Sequence, residues 1–216
     1  MASAETRERI VDAALALFRE RGFAETTMRE VAARAGVALG LAYYYFKSKD
    51  AIVHTFYQRA KDDLAPRLDA AHREKTLSAR LEGLIETKLA YFAPNRRFLG
   101  ALLGHASDPS NPLSPFSDAS REIRDADIAQ FDRALTETKT SVPKDLAPHL
   151  GRMLWFYQMG LILFWIHDRS AQQERTRELL AASLPIVVTL IKLANLPLLR
   201  PARRRVLNVL SILSEA

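Results

Sequence analysis

"TMREVAARAGVALGLAYYYFKSK", Thr27 to Lys49, decides how the first part of this 216-residue chain folds. Its opening four residues form a capping box. The Thr27 hydroxyl is spaced to accept from the Glu30 backbone N–H, while the Glu30 carboxylate reaches back to the Thr27 N–H. A helix over about 28–35 follows. Gly36 stops it, because glycine takes the left-handed conformation that a sharp turn requires. The next helix is confined to about 38–45, since Ser48 reads as the N-cap of the one after. Two short helices around a turn at Gly36 and Val37 make a helix-turn-helix arrangement.

Working outward, Ile10, Ala13, Ala14, Leu17 and Phe18 share one face of a helix over about 4–21, which Gly22 ends. Val31, Ala32, Ala35, Val37, Ala42 and Phe46 can knit the two short helices to it. Leu39, Gly40, Tyr43 and Tyr44 are then expected to face outward. Downstream, a longer helix runs from Lys49 to about His72, with Pro66 expected to kink or break it. Helices are predicted over about 77–93, 95–106, 118–140, 145–168, 172–194 and 201–214, and "SDPSNPLSPFSD" (107–118) reads as a loop. No stretch shows sustained period-two alternation, so the fold class is all-α. Short helices with tight turns give way near residue 50 to long ones, several of them apolar on more than one face. This predicts a helix-turn-helix domain over 1–50 and a larger helical domain over 51–216, with the helix at about 49–72 as connector.

Composition bounds the chemistry. The chain has no cysteine, which excludes disulfides and thiolate metal sites. Charges interrupt the apolar positions of the N-terminus, so no secretory leader is read there and a cytoplasmic location is expected. The longest apolar run, Met153 to Ile166, is interrupted only by Gln158 and is shorter than the ~20 residues of a membrane span. The formal net charge is +6, yet residues 1–50 carry eight Lys/Arg against seven Asp/Glu. A case for a nucleic-acid partner therefore rests on the residue pattern in that segment and not on bulk charge. The five histidines are scattered, and no HExxH, P-loop, EF-hand or GxSxG pattern is present. The expectation is a non-enzyme without metal or cofactor.

"TRERIVDAALALFRERGFAETTMREVAARAGVALGLAYYYFKSKDAI", Thr6 to Ile52, closely resembles the DNA-binding domain of the TetR family of bacterial transcriptional regulators. The agreement lies in the first amphipathic helix, "F..RGF..TT", "VA..AGV", "G..YYYF.SK" and the acid after Lys49. The resemblance implies a second, all-helical domain that dimerises and usually holds an effector pocket. It also implies that the second short helix enters the major groove and the first crosses the phosphates. The DNA-contacting candidates are then Thr27, Arg29, Leu39, Gly40, Leu41, Tyr43, Tyr44, Tyr45 and Lys49. Gly40 lets backbone approach the duplex, the tyrosines offer flat rings with hydroxyls, and Lys49 sits at a helix N-terminus suited to a phosphate. Tyr45 stands where the family often has histidine. Two departures matter: Ala38 replaces a small hydroxyl residue and leaves the reading helix without a side-chain cap, and Leu39 and Leu41 replace polar residues. Readout by thymine methyls and DNA shape then outweighs bidentate base contacts.

In the second domain, "GRMLWFYQMGLILFWIHD" (151–168) and "ELLAASLPIVVTLIKLA" (178–194) are too apolar all round for surface helices of a monomer. Two such helices from each subunit could build a four-helix dimer interface, the family's usual arrangement. The interface candidates are Phe156, Gly160, Leu163 and His167 on the first, with Leu180, Leu184, Val187 and Ile191 on the second. Trp155, Gln158, Ile162 and Trp165 lie on another stripe, which reads either as a mostly apolar ligand wall with one orienting amide or as plain core. Tyr91, Phe92, Phe98, Leu102, His105, Phe116 and Phe131 carry the same two readings. "RPARRRVLNVL" (200–210) reads as a solvated basic face on a terminal helix. The function expected is a homodimeric regulator, a repressor released from a palindromic double-stranded DNA operator by a small, mostly apolar effector. The alternative is a DNA-binding regulator without effector, whose second domain serves dimerisation or a protein partner.

Overall fold

The computed structural model describes residues 2–103 and 108–214, with the side chains of Ala2 and residues 210–214 left aside. Among the described residues the chain forms α-helices, three short 3-10 turns and no strand, as its periodicity predicts. The helices are α1 (Ala2–Arg21), α2 (Met28–Ala35), α3 (Leu39–Tyr45), α4 (Lys49–Ala71), α5 (Leu77–Phe92), α6 (Arg96–Leu103), α7 (Arg121–Glu137), α8 (Ala147–His167), α9 (Glu174–Leu193) and α10 (Arg200–Ser214).

Two compact units result, one of residues 1–65 with 90–125 and the other of 66–89 with 126–216. In the first, Ile10, Ala14, Leu17 and Phe18 of α1 meet Val31 and Ala32 of α2 and Ala42 of α3, with Phe46 closing the cluster. This core extends past residue 50, through Ile52, Val53 and Phe56 of α4 and Phe98, Leu99 and Leu102 of α6. Phe18 stacks on Phe98 with centroids 4.9 Å apart. Each such fully buried phenylalanine stabilises the unit by roughly 1.5–3 kcal/mol. Arg59 fastens α4 to α1 through Asp12 at 2.7 Å and Glu8 at 3.2 Å.

Pro66 does not break α4, which runs as one helix from Lys49 to Ala71 with the proline inside it. Proline forfeits one i→i−4 hydrogen bond. Leu64 before it and Leu68 after it are both buried, so packing on either side holds the helix together.

The second unit is built on the stripes of four helices. Leu81, Leu84, Ile85 and Lys88 of α5, Phe131, Ala134 and Leu135 of α7, Leu150, Leu154, Leu161 and Trp165 of α8, and Leu180, Leu184, Val188 and Ile191 of α9 are buried. Asp168 sets the turn from α8 to α9. Its Oδ1 accepts from the Ser170 N–H and hydroxyl, and its Oδ2 from the Thr176 N–H and hydroxyl, all at 2.7–2.9 Å. Burial alone would raise its pKa, but these four donors outweigh it and hold the carboxyl well below the usual range.

Candidate functional site

The reading face of the first unit is assembled by local signals. The Thr27 hydroxyl accepts from the Glu30 N–H at 3.3 Å, and the Thr27 N–H donates to Glu30 Oε2 at 2.8 Å, which closes the capping box. These Thr27 bonds, and Arg21 beside them, hold the Glu30 carboxyl below its ordinary value. Gly36 ends α2 at φ 66°, its N–H bonded to Ala33 O while the Val37 N–H reaches Ala32 O. That pair of bonds is a Schellman closure, and it sets the direction in which α3 leaves.

On α3, Ala42 is buried and Phe46 follows it into the core, while Tyr43 is 44% and Tyr44 72% exposed. Leu41 and Gly40 are also exposed, and an added Cβ at Gly40 would meet nothing within 4 Å. Leu39 departs from expectation: it is half-buried and packs against the core. The reason is helical period, since 39, 42 and 46 fall on one stripe. Tyr45 is half-buried, its ring edge-on to Tyr44 and its hydroxyl donating to Ser3 Oγ at 3.1 Å. Thr27 and Arg29 are exposed on the first turn of α2. Ala38 occupies the N-cap of α3 without a side-chain cap bond, as its sequence implies.

Lys49 needs revision as a charged phosphate anchor. Its ammonium donates to Phe23 O at 2.6 Å and Ala24 O at 3.3 Å, and lies 4.6 Å from the Phe23 ring centroid. The side chain thus ties the start of α4 to the turn after α1, and burial there lowers its pKa below that of an ordinary lysine. Lys47, not singled out in the sequence, is the exposed cation of this stretch, one residue before the Ser48 hydroxyl that accepts from the Ala51 N–H. A basic residue just ahead of an N-cap was the available signal.

The residues named for a ligand wall do not fall in one unit. Phe98 and Leu102 are buried in the core of the first, Phe92 packs against it, and Phe116 is 41% exposed. Tyr91 donates to Asp63 Oδ2 at 2.7 Å, and burial together with that carboxylate pushes its pKa up to about 12. His105 lies outside the described residues. Phe131, Trp155, Gln158 and Trp165 are buried in the second unit, with Ile162 half-buried there. Gln158 belongs to a closed polar triangle. The Lys88 ammonium donates to Asp127 Oδ1 and, at 2.8 Å, to Gln158 Oε1; Gln158 Nε2 donates to Asp127 Oδ2 at 2.8 Å. The Phe131 ring centroid lies 4.8 Å from the ammonium.

The other stripe of α8 faces out. Phe156, Leu163 and Phe164 are 42–53% exposed, and Gly160 and His167 are exposed beside them. For α9 the sequence-based stripe is corrected: Leu180, Leu184 and Ile191 are buried and Val187 half-buried. Leu179, Ile186, Leu190 and Leu193 form the open apolar face instead.

A sequence model described as "Bacterial regulatory proteins, tetR family" matches residues 10–55, and one described as "Tetracyclin repressor-like, C-terminal domain" matches residues 80–204, more than half of the chain. The chain belongs to the TetR family. TetR-family proteins are DNA-binding transcriptional regulators. The HTH-type transcriptional regulator YerO of Bacillus subtilis is 43% identical over 49 residues, which is 23% of this chain and 17% of that protein. Similarity to the HTH-type transcriptional repressor BepR of Brucella suis is more extended: 26% identity over 202 residues, covering 90% of this chain and 94% of the relative. Among solved structures, a TetR-family transcriptional regulator from Streptomyces coelicolor superposes with a TM-score of 0.67 at 24% identity, covering 95% of this chain and 89% of that one. The regulator FadR of Bacillus subtilis, solved in complex with stearoyl-CoA, does so with a TM-score of 0.63 at 21% identity, covering 87% and 98%. At these identities the TetR-family likeness is one of fold.

Proposed function

We propose that the chain is a homodimeric transcriptional repressor that leaves a palindromic operator when a small, mostly apolar effector enters its second unit. The observation that carries the DNA-reading half is the outward face of α3, where Tyr43 and Tyr44 stand exposed on a helix locked by Gly36 and the Thr27 capping box. Gly40 admits the DNA backbone, Leu41 meets thymine methyls, and Thr27, Arg29 and Lys47 meet phosphates, with Tyr45 at the margin. The Lys49 backbone, at the first turn of α4, adds a helix N-terminus to the phosphate contacts.

The dimer reading rests on the open apolar stripes of α8 and α9, because an isologous pairing buries both copies of each at once. Repression is the role named for BepR and is carried over from it. No single helix among the described residues is long and apolar enough to cross a membrane. The second reading is a regulator without an effector. It is favoured by the near-complete burial of Phe131, Trp155 and Trp165, which read equally well as filled core.

The test is fluorescence anisotropy with duplex DNA from upstream of the protein's own gene, comparing wild type with Tyr44→Ala. Loss of one groove-reading side chain is worth about 1–3 kcal/mol, so affinity should fall by roughly 5- to 150-fold with thermal stability unchanged. Full affinity in a folded Tyr44→Ala protein removes that residue from the interface, and no binding at low salt removes the DNA-reading proposal altogether.

A further inference from the structure

Lys88 is a cation placed where the fold spends hydrophobic residues. It continues the buried stripe of Leu81, Leu84 and Ile85, and its side chain is only 6% exposed. A buried ammonium must be paired, and replacing such a pair with well-packed apolar side chains is often neutral or stabilising. Its presence in the core of the second unit therefore calls for a chemical use.

The way the pair is held says what that use is. Two donors from different helices, Lys88 Nζ on α5 and Gln158 Nε2 on α8, grip opposite oxygens of one carboxylate, that of Asp127 on α7. This is recognition of a planar, two-oxygen anion, with the donors spread across its edge. The Phe131 ring lies against the ammonium, and Trp155 sits one turn before Gln158 on the same buried stripe of α8, so aromatic surface adjoins the charged end. Asp127 is the looser member: its side chain is 23% exposed against 6% for Lys88, which gives it a route to water.

We propose that Lys88 and Gln158 form the recognition pole for a hydrophobic carboxylic acid, and that Asp127 occupies this pole in the ligand-free protein as an internal stand-in. The incoming carboxylate takes the two donors, Asp127 turns to solvent, and the ligand's apolar body lies against Phe131 and Trp155. The inference rests on the reading of the second unit as an effector domain and adds the chemical class of the effector.

The test uses two matched pairs of probes, decanoate with decan-1-ol and 2-naphthoate with 2-naphthamide, titrated by calorimetry against wild type, Asp127→Asn and Lys88→Met. Each acid should bind wild type about tenfold or more tightly than its neutral partner, the scale of one charge-assisted hydrogen bond. Asp127→Asn should widen that preference, because the displaced group no longer competes as an anion. Lys88→Met should abolish it. Equal binding of acid and neutral partner, no binding of either, or an acid preference that survives Lys88→Met or is not widened by Asp127→Asn overturns the proposal. Since Asp127→Asn leaves Lys88 in place, the test stands even if Lys88→Met does not fold. Operator release is measured in parallel. Neutral probes that release DNA while acids fail to bind would leave the effector reading standing and sink this one. Acids that bind through Lys88 without releasing DNA would do the reverse.

Discussion

Ala38→Ser should stabilise the protein, and the size of the gain can be worked from the geometry of α3. The helix has seven residues, includes Gly40, and buries only Ala42 completely. Glycine within a helix costs about 0.5–1 kcal/mol relative to alanine, so α3 has little stability of its own. Ala38 already has the φ −64°, ψ 145° of an N-cap, its carbonyl accepts from the N–H groups of Leu41 at 2.9 Å and Ala42 at 3.1 Å, and its side chain is exposed. A serine hydroxyl on that exposed side chain is placed to accept from the N–H of Gly40 or Leu41. Such a cap is worth typically about 1 kcal/mol. In a chain of this length that raises Tm by about 2–4 °C. The opposite change at the neighbouring helix, Thr27→Ala, removes a formed cap and should lower Tm by a similar amount. Both are read by thermal unfolding followed by circular dichroism, with urea midpoints as a check. A Tm for Ala38→Ser at or below that of wild type, in a series where Thr27→Ala is destabilised, would refute the reasoning that α3 lacks a cap it could use.

Three further outcomes are expected. Lys88→Met alone should destabilise the protein in urea unfolding, by less than the ~3–5 kcal/mol of a fully buried broken pair because Asp127 can turn to water, whereas Lys88→Met with Asp127→Leu should recover most of that loss; a double variant as unstable as the single one would contradict the pairing. Asp168 has its folded-state pKa depressed, so its contribution is fully present above the unfolded value of about 3.9 and is lost as pH falls below that value toward the depressed folded-state one. Melting temperatures between neutral and acidic pH should therefore fall more steeply for wild type than for Asp168→Asn, and parallel curves would count against it. Ile186→Glu, at a position 60% exposed on α9, should leave folding intact and shift the protein to monomer in light scattering; an unchanged dimer would place the interface elsewhere.

How much was legible in the sequence depended on how local the determining physics is. The capping box, the Gly36 closure and the missing cap at Ala38 involve residues within five positions of one another, and each stands in the structure as its spacing implies. Leu39 was misplaced because its apolar neighbours at 41 and 43 hid the 39, 42, 46 stripe that carries it inward. On α9 the failure was of another kind. A helix apolar on every side has two usable faces, and only its three-dimensional neighbours decide that Leu180 and Leu184 go in while Ile186 and Leu190 stay out. Phe98 and Leu102 were indistinguishable from pocket residues for the same reason, since periodicity reports burial and not what a side chain is buried against. Lys88 was the readable signal that went unused, a lysine at i+7 on a stripe otherwise made of leucine and isoleucine.

The exposed apolar side chains of α3 differ in kind from those of α8 and α9, and the difference argues for a division of labour. On α3 they include tyrosines, whose hydroxyls keep a polar partner satisfied; on α8 and α9 they are leucine, isoleucine and phenylalanine, which suit only a surface like themselves. The first fifty residues carry eight basic against seven acidic groups, so one reading head attracts DNA weakly through charge. With few cations to release counterions, the proposed homodimer would draw its affinity from engaging two half-sites together, and the aliphatic face would then be a requirement of DNA binding and not an accessory to it. The dependence of log affinity on log salt follows the number of phosphates neutralised, at about 0.9 per contact on duplex DNA. A monomer made by Ile186→Glu should show about half the salt slope of the wild-type dimer on the same operator. A full slope from a monomer would mean that a single head makes all the phosphate contacts, and the link between the two faces would fail.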